Sequence, residues 1–199
     1  MRDIGQLKQD GKTVFLTRYW LCVGAPVIIG LLIGACAFAG PAALVIYGPL
    51  YVGLNWVLLQ LRRGEATGLD ALFTKGFSEN FGRHVGGYLL VMLYTFLWSL
   101  LFIIPGIIKG LSYSMTTYIL ADEPDLSAQE ALRRSQQMMM GHKGQLFLLQ
   151  LSFIGWHFLS LFTFGLLEPL FIVPWINAAT TEFYEDLRTE AYYGRRVTF

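Results

Sequence analysis

The sequence predicts an all-α membrane protein: six transmembrane helices arranged as three helical hairpins, with amphipathic surface helices on the cytoplasmic side. Three observations predict it. Hydrophobic residues make up 54% of the 199 and charged residues only 15%, well under the ~25% usual for soluble domains. The apolar residues gather in six runs that come in pairs. Fourteen of the fifteen Lys and Arg fall on one side of a six-pass arrangement.

The runs lie at roughly 19–39, 42–61, 86–104, 106–121, 145–164 and 166–181. Four have the ~20 residues needed to cross a hydrocarbon core; the fourth and sixth are shorter and can extend into their flanks. Period-2 alternation is absent, which argues against strands. Helices satisfy their own backbone polar groups, as lipid requires. Within each pair the break is a turn signal: Gly40-Pro41, Pro105-Gly106 or Gly165. Such short links make antiparallel neighbours. Longer polar stretches, 62–85 and 122–144, separate the pairs.

Orientation follows from the cations. Arg2, Lys8, Lys12 and Arg18 precede the first run, and Arg62, Arg63, Lys75 and Arg83 occupy the first long loop. Arg133, Arg134 and Lys143 occupy the second, and Arg188, Arg195 and Arg196 follow the last run. By the positive-inside rule this side is cytoplasmic, so both termini are expected in the cytoplasm of a bacterial cell membrane. Tyr19, Trp20, Tyr88 and Trp98 stand near run ends, as interface aromatics do. A signal peptide is the competing reading of the first run, with Ala35-Cys36-Ala37 as small residues at a cleavage site. That run exceeds an h-region of ~7–15 residues, and a second apolar run follows at once.

The cytoplasmic pieces carry helical apolar faces: Ile4, Leu7, Gly11, Val14 and Phe15; then Leu69, Leu72, Phe73, Phe77 and Phe81; then Ala131, Leu132, Ser135 and Met139. The last is preceded by Ser127-Ala128-Gln129-Glu130, a capping box, and Gly141 can end it. Glu130 and Arg134 have i,i+4 spacing for an ion pair. Arg133 and Arg134 are candidate contacts to anionic lipid, with a protein-docking role as the sharper alternative. The order surface helix, span, turn, span suggests a threefold internal repeat, roughly 1–65, 66–124 and 125–190, inside one integral membrane domain spanning 1–199.

Few residues offer chemistry. Lys109 is the one cation inside an apolar run, and intramembrane charge is a functional-site signal; four residues past Pro105, its stem can also snorkel to the surface. Glu168 is the one acidic residue of the outer side and could pair with Lys109. Asn55, Ser112, Ser114, Thr116, Thr117, Asn177, Thr180 and Thr181 lie on the second helices of the hairpins. Such residues join helices more often than they bind substrate. His157 with Gln150 and Ser152 forms another polar set. Lys109, Glu168, Ser112, Thr116, Asn177 and His157 are therefore the candidate polar cluster or path. Cys22 and Cys36 are about 21 Å apart along a helix, too far for a disulfide. The three histidines lack metal-ligand spacing. No phosphate loop, H-E-x-x-H or nucleophile elbow occurs, and the cations are too dispersed for nucleic-acid binding. No cofactor and no catalytic residue is expected.

Several blocks resemble a known family. They are Ile104-Pro105-Gly106-Ile107-Ile108-Lys109, Tyr113-Ser114-Met115-Thr116, Tyr118-Ile119-Leu120-Ala121-Asp122 with Pro124-Asp125, Ser135 to Lys143, Leu151 to Trp156, and Phe183-Tyr184-Glu185-Asp186-Leu187. Over 104–187 the chain resembles the bacterial integral membrane proteins grouped as domain of unknown function 975. The family is distantly similar to the membrane domain of some glycerophosphodiester phosphodiesterases, whose catalytic barrel has no counterpart here. The resemblance implies a multi-pass protein without an established activity or known catalytic residues. Gly144 departs from the family, whose members often carry an aromatic residue after Gly-His-Lys.

The function expected from these readings is a non-enzymatic membrane scaffold, accessory or lipid-handling component, with membrane lipids as partners and a membrane protein or second copy as a further candidate. The alternative is a small transporter or channel lined by the second helix of each hairpin.

Overall fold

Helix is the regular structure throughout the described residues, with no strand among them. The computed structural model describes residues 2–36, 43–77 and 80–196. The first tight link, Gly40-Pro41, lies outside them.

Helix α1 (Ile4–Thr17) opens on a capping box, Asp3 accepting from the Gly5 N–H and Gln6 from the Asp3 N–H. It bends by 92° into α2 (Tyr19–Cys36). Helix α3 (Ala43–Arg62) follows. A short helix α4 (Asp70–Gly76) packs on α3, with Gly53 against the Leu72 carbonyl and Gly76 against the Pro49 carbonyl. Helix α4 is shorter than the apolar face at 69–83 suggests: Phe81 begins the next helix, and Phe73 and Phe77 are exposed.

Helices α5 (Phe81–Leu101) and α6 (Ile103–Tyr113) are joined by one extended residue, Phe102. Tyr94 meets Tyr113, Lys109 lies over Trp98, and Gly106 sits against Ser99, an antiparallel register. The predicted 106–121 helix breaks at Ser114-Met115, and α7 (Thr116–Asp122) continues it. Helix α8 (Ala128–Met138) has the predicted capping box, Ser127 Oγ accepting from the Glu130 N–H at 3.3 Å and Glu130 from the Ser127 N–H at 2.9 Å. Its predicted inner face, Ala131, Leu132, Ser135 and Met139, is buried. Gly141, at φ +84°, stands in the turn to α9 (Lys143–Leu151), and α10 (Ile154–Leu161) follows. Left-handed Phe164 and Gly165 reverse the chain. Pro169 lacks the N–H for an α turn, and a π turn at Glu168–Ile172 leads into α11 (Val173–Arg196), longer than its apolar run.

Among the described residues, by length and composition one stretch, Lys143–Leu161, is long and apolar enough to cross a membrane, and the bent α1–α2 pair qualifies if taken as one span. The apolar face of α1 does not lie free. It docks antiparallel on α11, with Phe15 edge-on to Phe171 and Trp175 Nε1 donating to the Lys8 carbonyl at 2.8 Å.

Gly11 is the tightest point of that contact: an added Cβ would lie 2.6 Å from the Ala179 nitrogen. Gly11→Ala should therefore lower stability by about 1–3 kcal/mol, although Ala favours an open helix by about 1 kcal/mol. Gly30→Ala in α2, where a Cβ meets open space, should be neutral or stabilising. Thermal unfolding of the purified variants checks both.

Candidate functional site

The densest polar chemistry lies where the start of α1, the ends of α3 and α7, and the second half of α11 meet. Glu182 is 1% exposed. Arg62 Nε contacts its Oε1 and Arg2 Nη1 lies 2.7 Å from its Oε2, while Arg2 Nη2 donates to its backbone carbonyl at 3.0 Å. Arg2 also reaches Asp10 at 2.6 Å and Asp186 at 2.6 Å. Asp122, with 3% of its side chain exposed, takes Arg63 on Oδ1 at 2.7 Å and Arg188 on Oδ2 at 2.8 Å. The Tyr184 hydroxyl donates to Oδ2 at 3.1 Å. Arg63 also reaches Glu185 at 2.9 Å.

The electrostatics follow. Desolvation lowers the pKa of Arg2, but hydrogen bonds to Asp186, Glu182 and Asp10 outweigh it and the net shift is upward. Arg63 is likewise raised, desolvation being overcome by Asp122 and Glu185. Burial, then the Asp122 charge, pushes the Tyr184 phenol up. Arg2 and Arg63 stay charged. Sequence reading took Arg2, Arg62, Arg63 and Arg188 as markers of membrane side only. The signal it missed is the acidic set Glu182, Glu185 and Asp186 on α11, spaced to face them.

A second site lies beside the first. A cavity of about 460 Å³ is bounded by α3, the end of α4, the head of α5 and the end of α7, with Trp56, Lys75, Asn80, Arg83, His84 and Asp122 among its lining. Arg83 donates to the carbonyls of Leu120 at 2.6 Å, Glu123 at 2.7 Å and Leu126 at 2.8 Å, closing the C-terminus of α7. His84 is 3% exposed; its Nδ1 bonds the Gly76 carbonyl at 2.8 Å and its Nε2 lies 3.4 Å from Arg83 Nη2. Desolvation, helped by the Arg83 charge and opposed by the Gly76 bond, holds its pKa below the usual histidine value. Lys75 Nζ lies 5.1 Å over the Trp56 ring.

Of the candidate polar path, only Glu168 and His157 are brought into contact. Lys109 sits over Trp98 at 4.8 Å. Glu168 takes its bond at 2.7 Å from His157, not Lys109, because the π turn sets the Glu168 carboxylate beside α10. Ser112 Oγ donates within α6, and its carbonyl accepts from Ser135 on α8 at 2.8 Å. Thr116 is fully buried. Asn177 is partly buried, and its carbonyl accepts from Thr181. Asn55 joins α3 to α7 through Thr117 at 2.9 Å. Gln150 and Ser152 do not join His157: Ser152 donates to the Leu149 carbonyl. Of the two lipid-contact candidates, Arg133 is exposed but Arg134 is engaged by Glu123 at 2.5 Å. Glu130 is committed to the Ser127 cap, so the expected Glu130–Arg134 pair is replaced.

Two outcomes follow from this geometry. Glu182→Ala takes the carboxylate from Arg62 and one of three from Arg2 and should cost about 1.5–3 kcal/mol, while Asp3→Ala at the exposed α1 cap should cost only about 1 kcal/mol; chemical denaturation in detergent compares them. His84 is kept neutral in the fold but takes a proton when unfolded, so the unfolded state binds more protons below its ordinary pKa of 6.5. Stability should then fall as pH drops through 6.5, by at most about 1.4 kcal/mol per unit from this group, and His84→Gln should flatten that slope.

Residues 100–191 match the family model described as protein of unknown function (DUF975). The family resemblance of the C-terminal half is thus shown, and its further likeness to the phosphodiesterase membrane domains is not. No curated protein and no solved structure matches the chain.

Proposed function

With residues 100–191 assigned to the DUF975 family, we propose that the protein is a multi-pass component of a bacterial cell membrane, with six spans in three hairpins and both termini in the cytoplasm. It acts as a non-enzymatic scaffold, accessory or lipid-handling protein.

One observation carries the reading: the tips of the second and third hairpins are apolar and uncovered. Leu100, Ile103 and Ile104 are 73%, 76% and 71% exposed, and Phe162 and Phe164 are 84% and 99% exposed. Contiguous apolar surface on this scale marks contact with lipid or another protein. The ion-paired ends of α3, α7 and α11 lie away from those tips in the chain, so polar and apolar ends are separated. Helix α5, with 21 residues, is about 31 Å long, and hydrocarbon cores are ~30 Å thick. Helices α6 and α7 together run from Ile103 to Asp122, and α9 and α10 together cover Lys143–Leu161. The order short helix, long helix, long helix recurs three times, in line with a threefold repeat. Lys109 over Trp98 fits a snorkelling pair near the outer surface.

The reading is tested by labelling single cysteines in a chain carrying Cys22→Ala and Cys36→Ala. Thr163→Cys should react with a membrane-impermeant maleimide in intact cells, and Ser127→Cys only after permeabilisation. Reaction of Ser127→Cys in intact cells, or a folded detergent-free monomer in buffer, overturns the topology. Turnover of a lipid or peptide that is lost in Lys109→Ala or His157→Ala overturns the non-enzymatic class.

A further inference from the structure

We propose that the cavity between α3, α4, α5 and α7 binds the phosphate group of an anionic membrane lipid, with Lys75 and Arg83 as its cationic contacts. The inference rests on the membrane reading for the source of the phosphate, and on the cavity itself for the chemistry.

Three features of the cavity point to an anion. Lys75 and Arg83 come from different helices and both line it. Neither is in a close ion pair among the described residues: Lys75 lies over the Trp56 ring, and Arg83 donates to backbone carbonyls and feels the Asp125 charge only from a distance. The acid in the wall, Asp122, is already met by Arg63, Arg188 and the Tyr184 hydroxyl, so its charge is answered from outside the cavity. Among the described lining residues the charge that remains is positive. Asn80, Arg83 and His84 belong to the head of the 21-residue α5, whose first turn has no side-chain cap. That helix end adds a positive dipole.

The rest of the lining favours a lipid over a free anion. Val52, Trp56, Leu120 and Pro124 make one wall apolar. A volume of about 460 Å³ exceeds what a bare phosphate needs and falls within the ~300–1,000 Å³ of small-molecule sites. The exposed Phe73 and Phe77 on α4 stack in a row with Phe81, with ring centres 6.5 and 5.8 Å apart. An exposed aromatic row beside a cationic cavity suits the headgroup level of a bilayer, where apolar rings enter lipid and cations meet phosphate.

The experiment is native mass spectrometry of the detergent-purified protein titrated with phosphatidylglycerol, phosphatidic acid and phosphatidylcholine, with glycerol phosphate as a soluble competitor. The wild type should bind the two anionic lipids about fivefold more tightly than phosphatidylcholine. Lys75→Gln should lose about fivefold and Lys75→Arg should restore it, while Lys12→Gln, a change at an exposed cation on α1, should bind as wild type. Arg83 also closes α7, so Lys75 decides the test if Arg83 variants fail to fold. Equal binding by Lys75→Gln and wild type overturns the proposal, as does an equal loss in Lys12→Gln, which would mean diffuse surface attraction. Displacement by glycerol phosphate at matched concentration supports the phosphate site but overturns the lipid as its occupant. Failure of the cysteine-labelling topology removes the membrane reading alone, because glycerol phosphate binding can still be read in buffer. Unchanged lipid binding by Lys75→Gln in a correctly inserted protein removes this inference alone.

Discussion

The arrangement depends on two buried carboxylates, Glu182 and Asp122, each held by two guanidiniums. Removing a carboxylate from water is costly, and only close opposite charges with good geometry offset the loss. Each acid therefore binds distant parts of the chain together. Glu182 joins α11 to the N-terminal segment and to the end of α3; Asp122 joins the end of α7 to α3 and α11. Packing alone would leave α1 free to slide along α11, because its face of Leu7, Gly11 and Phe15 repeats along the helix. Arg2 sets the register by meeting Asp186, Asp10 and Glu182 at once.

The charged end and the apolar end solve different problems. Exposed side chains such as Phe162 and Ile104 are unfavourable in water and neutral in hydrocarbon. Ion pairs as dense as those of Arg2 and Arg63 need partial access to water to remain affordable, and their side chains are 25% and 28% exposed. A chain with both features is consistent with an environment that changes along the helix axes. The membrane reading takes that change to be the headgroup boundary, with Lys8 near it: desolvation lowers its pKa, and its ammonium sits over Phe153.

Local rules read well from the sequence, and long-range pairing did not. The Ser127 capping box, the inner face of α8 and the turn at Gly165 are set by residues close in sequence, and each stands where pattern placed it. The breaks at Ser114-Met115 and Ser152-Phe153 interrupt apolar runs that hydropathy treats as continuous. The polar candidates did not assemble beyond the Glu168–His157 pair: Ser112 satisfies its hydroxyl on its own helix backbone, and Lys109 lies over Trp98. The ion network was hidden for another reason. Its partners are separated by up to 184 positions, and charge patterning along one chain does not say which cation meets which acid.

Asp122 ties the two polar sites into one. It ends α7, faces the cavity and anchors the ion network. The carbonyls just around it are closed by Arg83 from α5. The cavity wall is therefore positioned by charge rather than by apolar packing alone: loss of Arg63 or Arg188 would free the Asp122 carboxylate toward Lys75 and Arg83. A cavity that presents net positive charge needs the acid of its described lining neutralised from behind, and the network does that. The same pairs that fix the helix ends thus decide which sign of ligand the neighbouring cavity can accept.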